Sequence, residues 1–250
     1  LDSSVINELP PGRTPVNTAI ISSTKREEVI KRIKMACGKG NQAYWVCTLI
    51  EESDALQREA AEATAEKLHR LLPLISVGLI HGRMKPKEKM AVMAKFKLGE
   101  IQLLVATTVI EVGVDVPNAS LMVIENPERL GLAQLHQLRG RIGRGSIQSH
   151  CILLYQTPLS NVGKQRLSVM RDSTDGFYIA EKDLELRGPG QVLGTQQTGL
   201  MSFRVADIAR DAPLLDIVKD ASETILQNHE EIVEPLISRW LGEREHYANV

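Results

Sequence analysis

The sequence predicts an α/β fold in which a mainly parallel sheet has helices on both faces. Six short apolar runs are typical of buried strands: TAIIS, AYWVCTLI, SVGLIH, QLLVAT, LMVIE and HCILLY. Longer segments with the apolar period of a helix lie between several of these runs, notably residues 54–72 and 86–97. Alternating strands and helices predict a parallel sheet, because each parallel pair needs a long crossover connection that is usually a helix.

The composition is that of a globular protein. The chain has 250 residues, of which 43% are hydrophobic, and this is enough to bury a core. It contains no run of about 18 apolar residues, and its first residues lack the basic and apolar regions of a secretory signal. We therefore expect no membrane partner and a cytoplasmic location.

Charge is distributed unevenly along the chain, although the net charge is only -1. No acidic residue occurs between Arg129 and Arg171, whereas residues 211–250 contain nine acidic residues. This asymmetry predicts a basic face toward phosphates, with chance clustering as the alternative. The cysteines Cys37, Cys47 and Cys151 form no CxxC pair and have no zinc-ligand spacing with the histidines, so we expect buried, reduced thiols and no structural metal.

The segment QLHQLRGRIGRG, residues 134–145, carries the strongest local signal. On a helical wheel, four polar residues share one stripe: Gln134, Gln137, Arg141 and Arg144. A single helix through this segment would present two guanidinium groups together, which suits a phosphate chain because each can make bidentate contacts. Gly140 and Gly143 would each cost such a helix about 1 kcal/mol, which suggests a close approach there. The alternative is a solvated helix surface.

A second signal is LLVATTVIEVGVDVPNA, residues 103–119, where an apolar run stops at Thr107 and Thr108 and resumes through Gly113 and Asp115. Hydroxyl groups just past a strand suit phosphate oxygens of a nucleotide or a nucleic acid. A threonine-rich turn capped by Asp115 is the alternative. The chain contains no GxxxxGK[ST] loop and no Asp-Glu dipeptide, so we expect it not to hydrolyse ATP by itself.

These motifs together resemble the second RecA-like domain of superfamily 2 helicases and, more closely, the RecG family of branched-DNA helicases. The matching segments are YWVCTLIEES, HGRMK, ATTVIEVGVDVPNA, QLRGRIGRG and the translocation motif DLELRGPGQVLGTQQTG. The resemblance covers nearly the whole chain. It implies a P-loop NTPase helicase domain 2 that works in replication-fork rescue, recombination and DNA repair, with ATP and Mg²⁺ bound mainly by an upstream half.

The resemblance also implies roles for individual residues. Gln137, Arg141 and Arg144 would face ATP, with the two arginines as arginine fingers on the terminal phosphates, and Gly113 and Asp115 would help to close the nucleotide cleft. Backbone phosphates of forked or branched duplex DNA would be held by a second group: Thr107, Thr108, Gly82 and Arg83. Arg187 and Gln197 would couple cleft closure to movement along DNA.

The same interpretation of the sequence divides the chain into four parts. Residues 1–15 are turn-rich and would be a linker from an upstream motor half, and residues 16–156 would be the RecA-like domain. Residues 157–200 would form a translocation helical hairpin and a glycine-rich loop, and residues 201–250 a helical tail. The partners would be branched DNA and the upstream RecA-like and wedge domains of the same protein.

Two other functions fit parts of the pattern. A transcription-repair coupling translocase would share the Arg-Gly motif and the translocation segment, and a non-catalytic phosphate-binding or protein-binding module would fit the missing phosphate loop. The segment TLIEESDALQREAAEA favours the RecG family over the first alternative. An RNA helicase of the same superfamily is disfavoured, because those proteins lack the DLELRGPG segment.

Overall fold

One six-stranded sheet organises the first part of the chain, and all of its strand pairs are parallel. The computed structural model describes residues 15–48, 54–108, 116–145, 147–187 and 212–241. The strands are β1 (Asn17–Ser22), β2 (Gln42–Cys47), β3 (Val77–Ile80), β4 (Leu103–Ala106), β5 (Ala119–Glu125) and β6 (His150–Tyr155). Their order in the sheet is β1-β6-β5-β2-β4-β3. The predicted parallel α/β fold is confirmed.

Six α-helices occur among the described residues from 15 to 187. They are α1 (Arg26–Gly38), α2 (Asp54–Leu71), α3 (Pro86–Lys97), α4 (Leu132–Arg139), α5 (Asn161–Asp172) and α6 (Gly176–Arg187). Helix α3 begins with Pro86, whose fixed φ suits the first helical position. It is followed closely by Gly99, whose φ of +79° is accessible to glycine at little cost. The bounds of α3 are those that the apolar period predicts.

The core lies on both faces of the sheet, because successive side chains of a strand point to opposite sides. Trp45 of β2 lies in one apolar cluster with Val29 of α1 and Leu68 of α2. On the other face, the ring of Tyr44 lies 4.9 Å from the ring of Phe96 on α3, measured between centroids. Helices therefore cover both faces, and this explains why the sequences of the central strands are continuous apolar runs.

A second compact unit begins at Leu184, and the first extends up to Asp183. In the second unit, the structure describes α7 (Leu215–Asn228) and α8 (Val233–Leu241), joined by a 3₁₀ turn at Glu230–Ile232. A helical tail was expected in this part of the sequence. Most of the predicted linker and the predicted glycine-rich loop lie outside the described residues. Among the described helices, none combines the length and the apolar character needed to span a membrane.

The three cysteines are buried and free of disulfide bonds, as predicted. Burial raises the pKa of the thiols of Cys37, Cys47 and Cys151 from an ordinary 9.0 to about 11, 12 and 12, respectively. We expect none of them to react with a disulfide reagent within minutes at pH 8 in the folded protein, because the reactive thiolate is suppressed and shielded. The absorbance of the group that the reagent releases on reacting with a thiol measures the extent of this reaction.

The same thiols predict a loss of stability at alkaline pH. The unfolded thiols lose their protons near pH 9, whereas the folded thiols keep theirs until about pH 11 to 12. The contribution is thus fully present below pH 9 and declines as the pH rises through this window. Rapid thiol labelling of the native protein at pH 8 would contradict the burial on which both expectations depend.

Candidate functional site

The carboxyl ends of the parallel strands all meet at one edge of the sheet, and polar side chains follow several of these strands. Thr48 follows β2, His81 follows β3, Thr107 follows β4 and Asn126 follows β5. In open α/β sheets, ligands bind in crevices outside this edge. This edge therefore is the candidate site.

The β3 and β4 side of the edge contains the predicted DNA-contacting residues. The backbone N–H of Thr107 donates to the carbonyl oxygen of Ile80 at 3.2 Å, which joins the two strand ends. The side chain of Thr107 is only 2% exposed, and its hydroxyl has no hydrogen-bond partner among the described residues. Thr108 is half-buried, whereas Gly82 and Arg83 are exposed. Accessible backbone and side-chain donors thus lie mainly at Thr108 and in the loop after β3.

A polar cluster holds the β2 and β5 side of the edge in place. Trp45 Nε1 donates to Glu125 Oε2 at 2.9 Å, and the same carboxylate pairs with Arg26. The Arg26 guanidinium also lies 4.8 Å from the centroid of the Trp45 ring, within cation–π range. Next to this cluster, the Thr48 hydroxyl donates to the carbonyl oxygen of Asn126 at 3.0 Å. These contacts fix the point where the chain leaves β5.

The chain leaves β5 through a left-handed residue and a short turn that leads to α4. Asn126 has a φ of 51°, a conformation that asparagine tolerates better than most residues. The 3₁₀ turn Pro127–Arg129 follows. Arg166 Nη1 donates to the carbonyl oxygen of Glu128 in this turn at 3.3 Å and to that of Leu130 just after it at 3.1 Å. The start of α4 is thereby bound to α5.

Helix α4 ends at Arg139, so the prediction of one continuous helix through residues 134–144 is wrong. Gly140 takes the C-cap position, and Gly143 has a φ of +80°, which a helix cannot accommodate. Arg141 and Arg144 therefore lie in the turn after the helix, and both are half-buried. The Nε of Arg144 donates to the carbonyl oxygen of Gly140 at 3.4 Å, which closes this turn.

A close approach was predicted at Gly140 and Gly143, whereas the structure shows one at Gly145. A Cβ atom added at Gly145 would lie 2.5 Å from the carbonyl oxygen of Pro117. The turn carrying Arg141 and Arg144 thus packs against the backbone that follows residues 109–115. This contact places Gly145 of the segment 134–145 next to Pro117 of the segment 103–119.

The two glutamines of α4 have different surroundings. Gln134 is exposed, and its Oε1 accepts a hydrogen bond from the backbone N–H of Gly131 at 3.1 Å, so it caps the start of the helix. Gln137 is exposed on the last turn of α4, before the two arginines. Gln137 is therefore accessible to a ligand at the edge.

Arg139 is the residue that the sequence analysis missed. It is only 3% exposed, and its Nη1 donates to the carbonyl oxygens of Met170 and Ser173 at 2.7 and 2.8 Å. Its Nη2 lies 3.1 Å from His136 Nδ1. Burial lowers the pKa of the guanidinium, which still stays charged because its ordinary pKa is so high. Arg139 thus ties the end of α4 to the end of α5.

A signal for this buried arginine is present in the sequence. Leu132, Leu135 and Arg139 recur at the spacing of one helix face, and all three are buried. The start of the same helix is tied to α6, because Asp183 Oδ1 accepts from the backbone N–H of Leu132 at 3.3 Å. Helices α4, α5 and α6 are therefore joined by charged side chains bonded to backbone groups.

Several predicted site residues lie outside the described residues or at their limits. Gly113, Asp115 and Gln197 lie outside the described residues, and Arg187 is the last residue of α6. Within the described part of the chain, no group of three or more His, Cys, Asp or Glu side chains is arranged to hold a metal ion. The roles predicted for these residues remain predictions.

Comparison with known proteins first identifies the class of domain to which the sheet belongs. Residues 24–146 match the helicase conserved C-terminal domain. The fold is also that of the helicase Lhr from Mycobacterium smegmatis, which is 18% identical with a TM-score of 0.51 over 66% of this chain and 23% of that chain. The sheet and its carboxyl edge are thus those of a helicase C-terminal domain.

The second half of the match is more specific. Residues 173–241 match the C-terminal part of domain 3 of the ATP-dependent DNA helicase RecG. RecG of Escherichia coli K12 is 62% identical and RecG of Haemophilus influenzae 57% identical, each over all of this chain and 36% of the relative. A structure of RecG bound to a three-way DNA junction is 43% identical, with a TM-score of 0.65 over 84% of this chain and 27% of that chain. The chain belongs to the RecG family, and it spans about a third of the length of these curated relatives.

The buried arginine leads to a stability prediction. We expect Arg139→Met to lower the free energy of unfolding by about 2 to 4 kcal/mol, because the carbonyls of Met170 and Ser173 would lose charged donors inside the protein. Chemical denaturation followed by circular dichroism measures the change. Arg171→Met is the matched control on α5, since Arg171 is exposed and pairs with its neighbour Asp172. Equal midpoints for the two variants would contradict the structural role of Arg139.

Proposed function

We propose that this chain is the second motor domain of an ATP-dependent helicase or translocase that acts on branched DNA in replication-fork rescue, recombination and repair. Membership of the RecG family supports this, and so does the relative whose structure was determined on a three-way DNA junction. The observation that carries the proposal is the half-buried turn with Arg141 and Arg144, which lies against the segment that follows β4.

On the nucleotide side, Arg141 and Arg144 act as arginine fingers toward the terminal phosphates of ATP, and Gln137 contacts the nucleotide. Guanidinium groups suit this role because they remain charged and can bond two phosphate oxygens at once. Gly113 and Asp115 help to close the cleft. ATP and Mg²⁺ are held mainly by the other RecA-like half, which is why the chain by itself is expected not to hydrolyse ATP.

On the DNA side, Thr107, Thr108, Gly82 and Arg83 contact backbone phosphates. The exposed loop after β3 and the half-buried Thr108 support this, because both lie at the carboxyl edge and joined strand ends hold them together. Contacts of this kind fix the position of the duplex without reading its bases. We therefore expect little sequence preference and a strong dependence of affinity on salt.

Coupling between the two sides passes through the helices α4, α5 and α6. The hydrogen bonds of Arg139 to the end of α5 and of Asp183 to the start of α4 support a rigid connection. Helix α6 ends at Arg187, next to the glycine-rich segment that includes Gln197. A shift of the arginine turn on nucleotide binding would thus reach Arg187 and Gln197, which pull on duplex DNA.

The partners of the chain follow from the same proposal. They are forked or branched duplex DNA and the RecA-like and wedge domains of the same protein. The match to the C-terminal part of RecG domain 3 supports this family over a transcription-repair coupling translocase. Because its proposed substrate is chromosomal DNA, we propose that the protein acts in the bacterial cytoplasm in association with the nucleoid.

The coupling role of Arg187 is tested by measuring two activities side by side in the intact protein. We expect Arg187→Ala to keep ATP hydrolysis within about twofold and to lower the rate of fork unwinding by roughly tenfold or more, because only the transmission step is affected. Arg171→Ala, on the exposed surface of α5, is the control and should change neither rate. Unwinding at the normal rate in Arg187→Ala would show that coupling does not use this residue.

The arginine fingers are tested by single substitutions in the intact protein. Arg141→Ala and Arg144→Ala should each lower the rate constant of ATP hydrolysis by a factor of about 10³ or more, which is the usual contribution of an arginine finger to the rate. Arg141→Lys should restore little, since an ammonium group cannot make the paired contacts. DNA affinity without nucleotide should stay near that of the wild type, as measured by fluorescence anisotropy. Hydrolysis at an unchanged rate in both alanine variants would rule out the finger role.

A further inference from the structure

The loop after β3 is held by three hydrogen bonds that fix its shape. The backbone N–H of Met84 donates to the carbonyl oxygen of His81 at 3.2 Å, and the backbone N–H of Lys85 donates to Glu88 Oε2 at 2.9 Å. In the third bond, Lys89 Nζ donates to the carbonyl oxygen of Gly82 at 2.7 Å. The last bond comes from a charged donor on α3, so it is shorter and stronger than a bond between neutral groups.

Lys89 differs from the other lysines at the start of α3. It is half-buried, whereas Lys85 and Lys87 are exposed. In the described part of the chain, no carboxylate forms an ion pair with Lys89, and its hydrogen-bond partner is the Gly82 carbonyl. The ammonium group therefore bonds the loop backbone at the residue before Arg83.

The bond from Lys89 determines where the next amide points. In a trans peptide the C=O and N–H groups point in opposite directions. Because Lys89 holds the Gly82 carbonyl toward α3, the N–H of Arg83 is directed away from α3. This N–H has no hydrogen-bond partner among the described residues, and Arg83 is exposed. One peptide unit thus presents a free amide donor beside an exposed guanidinium.

We propose that Lys89 is a positioning residue that sets the Gly82–Arg83 peptide so that its amide and the Arg83 guanidinium receive one phosphate of the DNA backbone. This rests on the proposed function, in which Gly82 and Arg83 contact DNA. The local charge is suitable, since the one acidic side chain in HGRMKPKEK, that of Glu88, is bonded to the backbone of Lys85. A concentration of positive charge and oriented amides favours an anion.

The test compares two lysines that carry the same charge but only one of which bonds the loop. In the intact protein, Lys89→Met should weaken binding of a fork DNA by roughly three- to tenfold, because one phosphate contact loses its geometry. Lys87→Met removes the same charge two residues away and should stay within about twofold of the wild type. Lys89→Arg keeps a charged donor and should restore most of the affinity. Fluorescence anisotropy at several salt concentrations measures these values.

Hydrogen–deuterium exchange separates positioning from loss of charge. Fork DNA should protect the amides of residues 82–84 in the wild type, in Lys87→Met and in Lys89→Arg, and this protection should be lost in Lys89→Met. Equal affinities and equal protection in the two methionine variants would overturn the proposal. Melting temperatures establish that the variants are folded, and Lys89→Leu, which also removes the donor, replaces Lys89→Met should that variant not fold.

Arg83→Ala distinguishes the failure of this proposal from the failure of the proposed function. Weaker binding in Arg83→Ala together with normal binding in Lys89→Met would leave the DNA contact in place and remove the positioning role of Lys89. Normal binding and normal protection of residues 82–84 in Arg83→Ala would instead show that the loop does not contact DNA, and both proposals would fail at this site.

Discussion

Every strand of the sheet runs in the same direction, and this constraint brings the polar residues of the candidate site to one edge. Residues that are far apart in the sequence, such as Thr48, His81, Thr107 and Asn126, follow strands that end at one edge. The helices on both faces bury the sheet, so the edge is where chain segments can reach a ligand. The strand order β1-β6-β5-β2-β4-β3 divides this edge into a β3 and β4 part and a β2 and β5 part, and the chain leaves β5 toward α4.

The two parts differ in how they are held. The β2 and β5 part and the helix α4 that follows it are fixed by ionised side chains, since Arg26 pairs with Glu125 and Arg139 bonds the carbonyls at the end of α5. A buried charge such as that of Arg139 adds little net stability when it is fully bonded, but its loss is costly because the bonded groups stay buried. In the β3 and β4 part, the loop carrying Arg83 is exposed, and the side chains of Lys89 and Glu88 hold it by hydrogen bonds to its backbone.

The sequence predicts the elements of this fold better than their connections. The six strands follow from apolar runs, and the bounds of α3 follow from its apolar period and from the proline and glycine at its two ends. These are local properties of the sequence. The helical wheel through residues 134–144 fails because it assumes that the helix continues past Gly140, where a glycine cap ends it. The bonds of Arg139 and Lys89 go to backbone carbonyls, which have no sequence signature. Their partners are known only after the chain has folded.

The rigid connection of α4 to its neighbours limits how the proposed motor can work. Arg139 joins the end of α4 to the end of α5, Arg166 joins α5 to the residues before α4, and Asp183 joins α6 to the start of α4. Each of these bonds has one charged partner, and such bonds are stronger than hydrogen bonds between neutral groups. A force on the turn with Arg141 and Arg144 would therefore displace α4, α5 and the first part of α6 together. In the proposed motor, these helices would therefore transmit the movement as one rigid body.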